Sequence, residues 1–229
     1  MKRFIYSIVP FIIALVLLQG CKKVTTDGFT SITVYPVINL EGEGSIFVKL
    51  GEEYQEPGYS ASLDGNDVTE DLVINSNIDI EKAGQYSVVY SMTNEDGFKV
   101  EKSRKIYVYD STPSIIDSKI YTVQKGSNRN GNPEFDGFPV VIYQTAPGVF
   151  EISDFLGGYY DYGQSYGSLY AATGSFKLNA DNKLSLISSS VAGWGDSLDE
   201  LKDGKVEQDG TIKFTAAYAE QFEFNVILK

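Results

Sequence analysis

The stretch Tyr86-Ser87-Val88-Val89-Tyr90-Ser91 decides the class of fold. Its first, third and fifth side chains are two tyrosines and a valine. They fall on one face of an extended chain, because successive side chains of a strand point to opposite faces. Asn94-Glu95-Asp96-Gly97 then supplies a hairpin turn, and Lys105-Ile106-Tyr107-Val108-Tyr109 alternates again. These segments predict an antiparallel β-hairpin.

The same short alternating pattern extends in both directions along the chain. Residues 32–35 and 46–50 are expected to form earlier strands, and no segment shows a helical period over a useful length. After residue 114, further candidate strands are residues 115–123, 138–143, 149–152, 168–172, 175–178, 183–187, 211–215 and 222–228. Hairpin signals separate several of them, at residues 146–148, 179–182 and 208–210.

An all-β protein of two domains follows from this pattern. Residues 31–110 are predicted to form a β-sandwich, and residues 114–229 an antiparallel β-sandwich or small barrel. Ser111-Thr112-Pro113 is expected to be a short link between them.

The first domain resembles a known family. The resemblance rests on residues 50–54, 56–61, 64–71, 83–90, 94–97 and 104–109, which match in order. This pattern is similar to the bacterial Ig-like domain of surface proteins. The resemblance implies an Ig-like β-sandwich that serves as a spacer, an adhesin module or an appendage of glycan-active proteins.

The N-terminal sequence predicts that the protein is located in the cell envelope. Lys2 and Arg3 precede an apolar run from Phe4 to Leu18, as in a secretory signal peptide. Leu17-Leu18-Gln19-Gly20-Cys21 then resembles a bacterial lipobox, which implies cleavage after residue 20 and acylation of Cys21. We therefore expect a signal peptide at residues 1–20, a tether at residues 21–30 and a membrane partner reached through lipid on Cys21, at the outer membrane. An uncleaved anchor and an incidental cysteine are the alternatives.

The composition excludes several classes of function. Cleavage would remove two of the 19 basic residues and none of the 31 acidic ones, leaving 17 against 31 and a net charge of −14. A chain with this much negative charge repels the phosphate backbone of nucleic acids. We therefore expect no nucleic-acid partner. The sequence has no histidine, which excludes Ser-His-Asp and Cys-His catalysis and histidine-based zinc sites. We expect no metal or cofactor; the acidic residues 64–71 allow calcium, but without ordered ligand spacing.

One segment of the second domain has the composition of a binding site. Residues 153–167 contain four tyrosines and four glycines, and the only tryptophan lies in a second glycine-rich turn at residues 192–196. Sugars have apolar C–H faces and hydroxyl edges, so a glycan site needs aromatic platforms beside carboxylates or amides. The candidate ligand-binding residues are Asp154, Tyr159, Tyr160, Asp161, Tyr162, Gln164, Tyr166, Trp194 and Asp196. The alternative is that these rings simply pack over the end of the sandwich.

The second domain also resembles an uncharacterised C-terminal β domain of Bacteroidetes-type two-domain lipoproteins. The resemblance rests on residues 153–160, Tyr166-Gly167, Trp194-Gly195-Asp196 and residues 209–214. It implies a noncatalytic, membrane-anchored lipoprotein that binds glycan or assists polysaccharide uptake, with an outer-membrane protein complex as a further partner. The alternative function is a structural or adhesive module with a protein partner. A glycosidase using paired carboxylates is disfavoured by the small size of the domain.

Overall fold

The structure, a computed structural model, describes residues 32–229. The predicted cleavage site, Cys21 and the tether lie outside the described residues. Sixteen strands and three single turns of 3-10 or π-helix make up the regular structure of residues 32–229. None of the helical turns in this range is long and apolar enough to cross a membrane. The predicted all-β class is confirmed.

The first domain consists of two facing sheets. One sheet has the order β1-β3-β4, and the other has the order β2-β7-β6-β5. The strands are β1 (Val37–Leu40), β2 (Ser45–Lys49), β3 (Tyr59–Leu63), β4 (Asn66–Asp67), β5 (Val73–Ser76), β6 (Gly84–Thr93) and β7 (Lys99–Tyr109). The predicted hairpin is β6–β7, in which Tyr86 lies opposite Ile106. β2 pairs with β7 in parallel, which joins the start of the domain to its end.

The core of this domain contains an arginine. Arg104 on β7 is fully buried and lies opposite Val88 of β6. Its guanidinium donates hydrogen bonds to the carbonyls of Glu41 and Glu43, and it lies 3.1 Å from Oε1 of Glu56. The hydroxyl of Tyr90 donates to the other oxygen of Glu56. A buried charge is tolerated only when it is paired in this way.

The second domain is also a two-sheet sandwich. One sheet has the order β13-β12-β11-β10-β8, and the other has the order β14-β15-β16-β9. The strands are β8 (Lys119–Thr122), β9 (Asn128–Arg129), β10 (Pro139–Ala146), β11 (Val149–Ile152), β12 (Thr173–Leu178), β13 (Leu184–Ser190), β14 (Leu198–Val206), β15 (Ile212–Tyr218) and β16 (Phe222–Leu228). Neighbours in the chain are mostly neighbours in the sheets, because short hairpins connect them.

Aromatic rings fill the space between these two sheets. Phe150 and Phe176 stack with ring centroids 5.4 Å apart, and the ring of Phe155 meets Phe214 edge-on at 5.9 Å. Isolated bridges join the sheets at both edges, between Val123 and Leu228 and between Val191 and Asp196. The bridges are too few to merge the sheets, so the domain is a sandwich and not a closed barrel.

A single glutamine fixes the link between the domains. The side-chain amide of Gln144 donates to the carbonyls of Asp110 and Thr112, at 3.2 and 2.9 Å. The backbone N–H of Asp110 donates in return to the carbonyl of Gln144 at 2.8 Å. Because Gln144 is buried on β10, these bonds hold the link against the second domain.

Several strand predictions were wrong. Residues 32–35 are not a strand; the first strand begins at Val37. Residues 168–170 form a 3-10 turn rather than a strand. Residues 115–123 contain only the four-residue strand β8, and β14 was not predicted. β14 carries charged residues at most exposed positions, and its two bulges break the alternation on which the prediction relied.

The Arg104–Glu56 pair predicts how the first domain responds to acid. Burial of Glu56 raises its pKa, but hydrogen bonds from Tyr54 and Tyr90 and the charge of Arg104 outweigh this, so the pKa lies below its usual value. The stabilisation is therefore complete above the unfolded pKa of about 4.3 and is lost as the pH falls through the folded pKa. We expect Glu56→Gln to lower the free energy of unfolding at pH 7 by on the order of 1 kcal/mol.

Urea unfolding at a series of pH values measures this effect. The difference between wild type and Glu56→Gln should shrink steadily below pH 4. A difference that stays constant down to pH 2.5 would show that the charge on Glu56 is irrelevant. The exposed carboxylate of Glu95 provides the control, since Glu95→Gln should change neither the free energy of unfolding at pH 7 nor its dependence on pH.

Candidate functional site

The tyrosine-rich loop, residues 153–167, is built around the carboxylate of Asp154. This side chain is buried, and Oδ1 accepts hydrogen bonds from the N–H groups of Leu156 and Ala172 at 2.8 and 2.9 Å. Oδ2 accepts a third bond from the N–H of Gly158 at 2.8 Å. The three bonds reach both ends of the loop, so the carboxylate fixes its shape.

The burial of Asp154 also sets its ionisation. Removal from solvent raises the pKa of this carboxyl to about 6, while the three N–H donors oppose the rise. The group is therefore mainly charged at neutral pH. Because the buried carboxylate of Asp154 accepts three backbone hydrogen bonds, it holds the loop in place. The ligand-binding role predicted for Asp154 from the sequence stays a prediction.

Glycines give the loop its tight path. Gly158 has φ +75° and stands before a single turn of π-helix, Tyr159–Gly163. A Cβ atom at Gly158 would lie 2.7 Å from Cβ of Phe138, a distance too short for any side chain. The loop can therefore press against Phe138 only with glycine at this position.

The loop meets the tryptophan turn in a cluster of aromatic rings. The ring of Trp194 lies edge-on to Tyr160 and to Tyr170, with centroids 4.8 Å away in each case. Tyr166 stacks on Tyr160 at 5.7 Å, and Tyr218 lies 5.8 Å from Trp194. We call these five residues, Tyr160, Tyr166, Tyr170, Trp194 and Tyr218, the aromatic platform.

The platform has a buried base and an exposed surface. Tyr160 and Tyr218 are buried, whereas Tyr166 is 54% exposed and Trp194 is 42% exposed. Edge-to-face contacts of this kind hold aromatic rings in fixed orientations. The exposed rings are therefore presented to solvent by a rigid support.

A carboxylate stands at the margin of the platform. The hydroxyl of Tyr218 donates to the carboxylate of Asp196, whose two oxygens lie 2.8 and 2.9 Å from it. Burial, followed by this contact with a carboxylate, raises the pKa of Tyr218. Asp196 itself is exposed, so its remaining lone pairs can accept hydrogen bonds from a ligand.

Close backbone contact joins the two loops. The N–H of Gly193 donates to the carbonyl of Leu169 at 2.7 Å. A Cβ atom at Gly193 would lie 2.7 Å from the ring of Tyr170. Glycine at this position therefore lets the tryptophan turn approach near enough for Trp194 to reach the tyrosines.

The structure thus brings together four of the predicted residues, Tyr160, Tyr166, Trp194 and Asp196. Tyr159 lies in the core instead, with its ring edge-on to Phe224 at 5.4 Å. Tyr162 is exposed but stacks on Phe138 at 5.8 Å rather than on the platform. Asp161 is half-buried beside Tyr162, and Gln164 is exposed on the same loop.

Sequence reasoning missed three residues of the site. Tyr170 was assigned to a strand, and Tyr218 lies on β15, far from the loop in sequence. Arg129 lies beneath the loop, where its Nη1 is 3.5 Å from the hydroxyl of Tyr160 and its guanidinium lies over the ring of Phe222. The Gly-Ser-Leu-Tyr sequence ending at Tyr170 continues the composition of the loop, and this signal was available.

Two family models match the chain. The family model of the bacterial surface protein Ig-like domain matches residues 38–108. A second family model, described as a C-terminal domain, matches residues 109–229. The fold and these matches define a class of two-domain all-β proteins with an Ig-like surface domain in front. A comparison with curated proteins gives no match.

A crystal structure identifies the family more closely. The lipoprotein BT2262 from Bacteroides thetaiotaomicron is 43% identical, with a TM-score of 0.81, and the match covers 85% of this chain and 100% of that one. The chain belongs to the family of this lipoprotein. The predicted resemblance to Bacteroidetes-type two-domain lipoproteins is therefore confirmed.

Two structures of ZmpB from Clostridium perfringens are more distant. One holds CBM51-2 in complex with GlcNAc together with INT domains; it is 21% identical, covering 51% of this chain and 31% of that one, with a TM-score of 0.28. The other holds the M60 catalytic domain with CBM51-1 and CBM51-2, also 21% identical with a TM-score of 0.28, covering 52% of this chain and 14% of that one.

The hydrogen bonds of Asp154 generate a prediction about stability. In Asp154→Asn, the new amide NH₂ faces either the N–H of Gly158 or those of Leu156 and Ala172, so at least one buried donor loses its acceptor. We expect a loss of about 2–3 kcal/mol in the free energy of unfolding. Urea unfolding followed by the fluorescence of Trp194 measures it within this domain, because the chain has one tryptophan.

Asp161→Asn is the matched control on the same loop. Its side chain makes no hydrogen bond or ion pair with residues 32–229, so the stability should change by less than about 0.5 kcal/mol. Equal effects of the two substitutions would contradict the assignment of Asp154 as the residue that holds the loop.

Proposed function

We propose that the protein is a noncatalytic, lipid-anchored lipoprotein of the cell envelope that binds glycan through the aromatic platform. It acts as a surface accessory to polysaccharide uptake, at the outer membrane. The observation that carries the proposal is the partial exposure of Tyr166 and Trp194 on a rigid aromatic support. Exposed apolar surface that is contiguous often marks an interaction site.

The chemistry of the platform fits a sugar chain. The faces of Tyr166 and Trp194 suit the C–H faces of pyranose rings. The carboxylate of Asp196, beside Trp194 in sequence, suits the hydroxyl edges. The second domain carries the platform, and the Ig-like domain before it serves as a spacer from the membrane.

The proposed anchor rests on the sequence at Cys21 and on kinship with a protein named as a lipoprotein. Two or more acyl chains on one cysteine would make attachment to the membrane stable. Cys21 lies outside the described residues.

The absence of catalysis is likewise part of the proposal. A glycosidase needs two carboxyl groups that reach the scissile bond. Asp154 has a raised pKa, as a general acid would, but it is buried and both its oxygens accept backbone hydrogen bonds. Asp196 shares its oxygens with Tyr218 at the margin of an open surface.

A structural or adhesive role is the second candidate. The Ig-like domain exposes apolar side chains at the outer edge of a sheet, where Val73 is 58% and Ile74 is 41% exposed on β5. An edge strand has free backbone groups that a protein partner can pair with. Pull-down from outer-membrane extract with wild type and with Ile74→Lys separates this function from glycan binding, because only a protein captured through the edge is lost from the variant.

Substitution of the platform residues tests glycan binding. We expect Trp194→Ala and Tyr166→Ala each to weaken polysaccharide binding at least tenfold, because each removes a stacking surface, and the thermal unfolding temperature should change little for Tyr166→Ala. Isothermal titration against a panel of soluble polysaccharides gives the affinities. Phe98→Ala is the control, since Phe98 is an aromatic residue of similar exposure on the other domain. If the wild type binds none of the polysaccharides in the panel, the proposal is wrong.

Mass spectrometry of the protein from its native host, or from a host that processes lipoproteins, tests the anchor. The mature chain should begin at residue 21 and carry the added mass of two or three acyl chains. Cys21→Ser should appear in the soluble fraction and should lack this mass. An acylated Cys21→Ser protein, or an unmodified wild type, would contradict the proposed anchor.

A further inference from the structure

A cavity lies where the two domains meet. It has a volume of about 390 Å³ and is lined from both sides. We call it the junction cavity and define it by Lys105, Tyr107, Tyr143, Glu151, Asp161 and Tyr162. The first two residues belong to β7 of the Ig-like domain, and the others belong to the second domain. Ligand sites occur preferentially at such domain boundaries.

The walls of the junction cavity are held in place. The rings of Tyr107 and Tyr143 meet across the domain boundary with centroids 5.3 Å apart, and both are buried. The bonds of Gln144 to Asp110 and Thr112 hold the link close by. Tyr162 is braced from behind by its stacking on Phe138. The cavity therefore exists before any ligand arrives, which lowers the cost of binding.

Several polar groups converge on the cavity without partners. Among residues 32–229, the side chains of Lys105, Glu151 and Asp161 make no hydrogen bond or ion pair. Glu151 is half-buried, and burial raises the pKa of its carboxyl. A half-buried carboxylate that no protein donor satisfies is costly, and a ligand hydroxyl would supply the missing donor.

We propose that the junction cavity is a second carbohydrate site, which takes one or two residues of a neutral sugar. Its volume is near the lower end of the range for small-molecule sites, roughly 300–1,000 Å³. The ring of Tyr162 offers a surface for the C–H face of a pyranose, and Glu151, Asp161 and Lys105 offer acceptors and a donor for its hydroxyls. The ligand class rests on the proposed function, but the site shares no residue with the aromatic platform.

The charges of the cavity define which sugars it takes. Glu151, Asp161 and the buried Asp154 bring three negative charges and Lys105 one positive charge. A uronic acid or a phosphorylated sugar would therefore be repelled. A neutral sugar meets no such penalty, so the junction cavity should select against anionic glycans.

The test uses ¹H–¹⁵N NMR titration of the mature chain with neutral monosaccharides and disaccharides, including glucose, galactose, maltose and cellobiose, and with glucuronic acid. We expect at least one neutral sugar to shift amide signals of residues 105–107 and 151–162 together, and glucuronic acid to shift none of them. Glu151→Gln and Tyr162→Ala should each weaken this binding at least fivefold. Phe98→Ala should leave it unchanged.

Trp194→Ala separates the two sites. The junction cavity should keep its affinity for short sugars in this variant, even though the platform loses polysaccharide. Loss of the short-sugar shifts in Trp194→Ala but not in Glu151→Gln would overturn the junction site and leave the platform standing. Failure of every sugar to shift residues around the cavity would also overturn it. The proposal for the aromatic platform fails by a separate result, namely polysaccharide binding that Trp194→Ala does not weaken.

Discussion

The exposed face of the second domain depends on the buried carboxylate of Asp154. Its two oxygens accept hydrogen bonds from three backbone N–H groups, those of Leu156 and Gly158 in one turn and that of Ala172 further along the chain. Inside a protein such a carboxylate is costly unless it is fully bonded, and here the backbone bonds offset that cost. The same bonds force the chain into a tight loop, and the loop places Tyr160 and Tyr166 beside Trp194. The buried charge of Asp154 thus positions the rings that are open to solvent.

The two domains are stabilised by different internal polar groups. Each is a small sandwich without disulfides in its described part, so each relies on burial and on internal polar anchors. In the Ig-like domain the anchor is Arg104 with Glu56, and in the second domain it is Asp154 with the backbone. Gln144 anchors the link in a similar way. These three polar groups fix the positions of the loops and of the link. The apolar cores, in contrast, hold the sheets together without fixing those positions.

Sequence reasoning found the fold class because alternation is local, as in residues 86–91. It missed β14, where bulges and surface charges hide the alternation, and it placed Tyr170 in a strand because a 3-10 turn leaves no clear periodic mark. It selected the right two loops for the site from their tyrosine, tryptophan and glycine content. It could not tell Tyr159, which is buried, from Tyr166, which is exposed, because that depends on the path set by Asp154 and Gly158. Tyr218 could not be assigned to the cluster from the sequence, because only a tertiary contact places it beside Trp194.

The central claim is that a glycan chain lies on the rings of Trp194 and Tyr166. The most direct measurement is the nuclear Overhauser effect between ring protons and sugar C–H protons, recorded with an oligosaccharide from the tightest-binding polysaccharide. The account predicts cross-peaks from the indole of Trp194 and the ring of Tyr166 to one face of successive sugar units. A bound oligosaccharide whose cross-peaks arise from other residues, with none from these two rings, would contradict it.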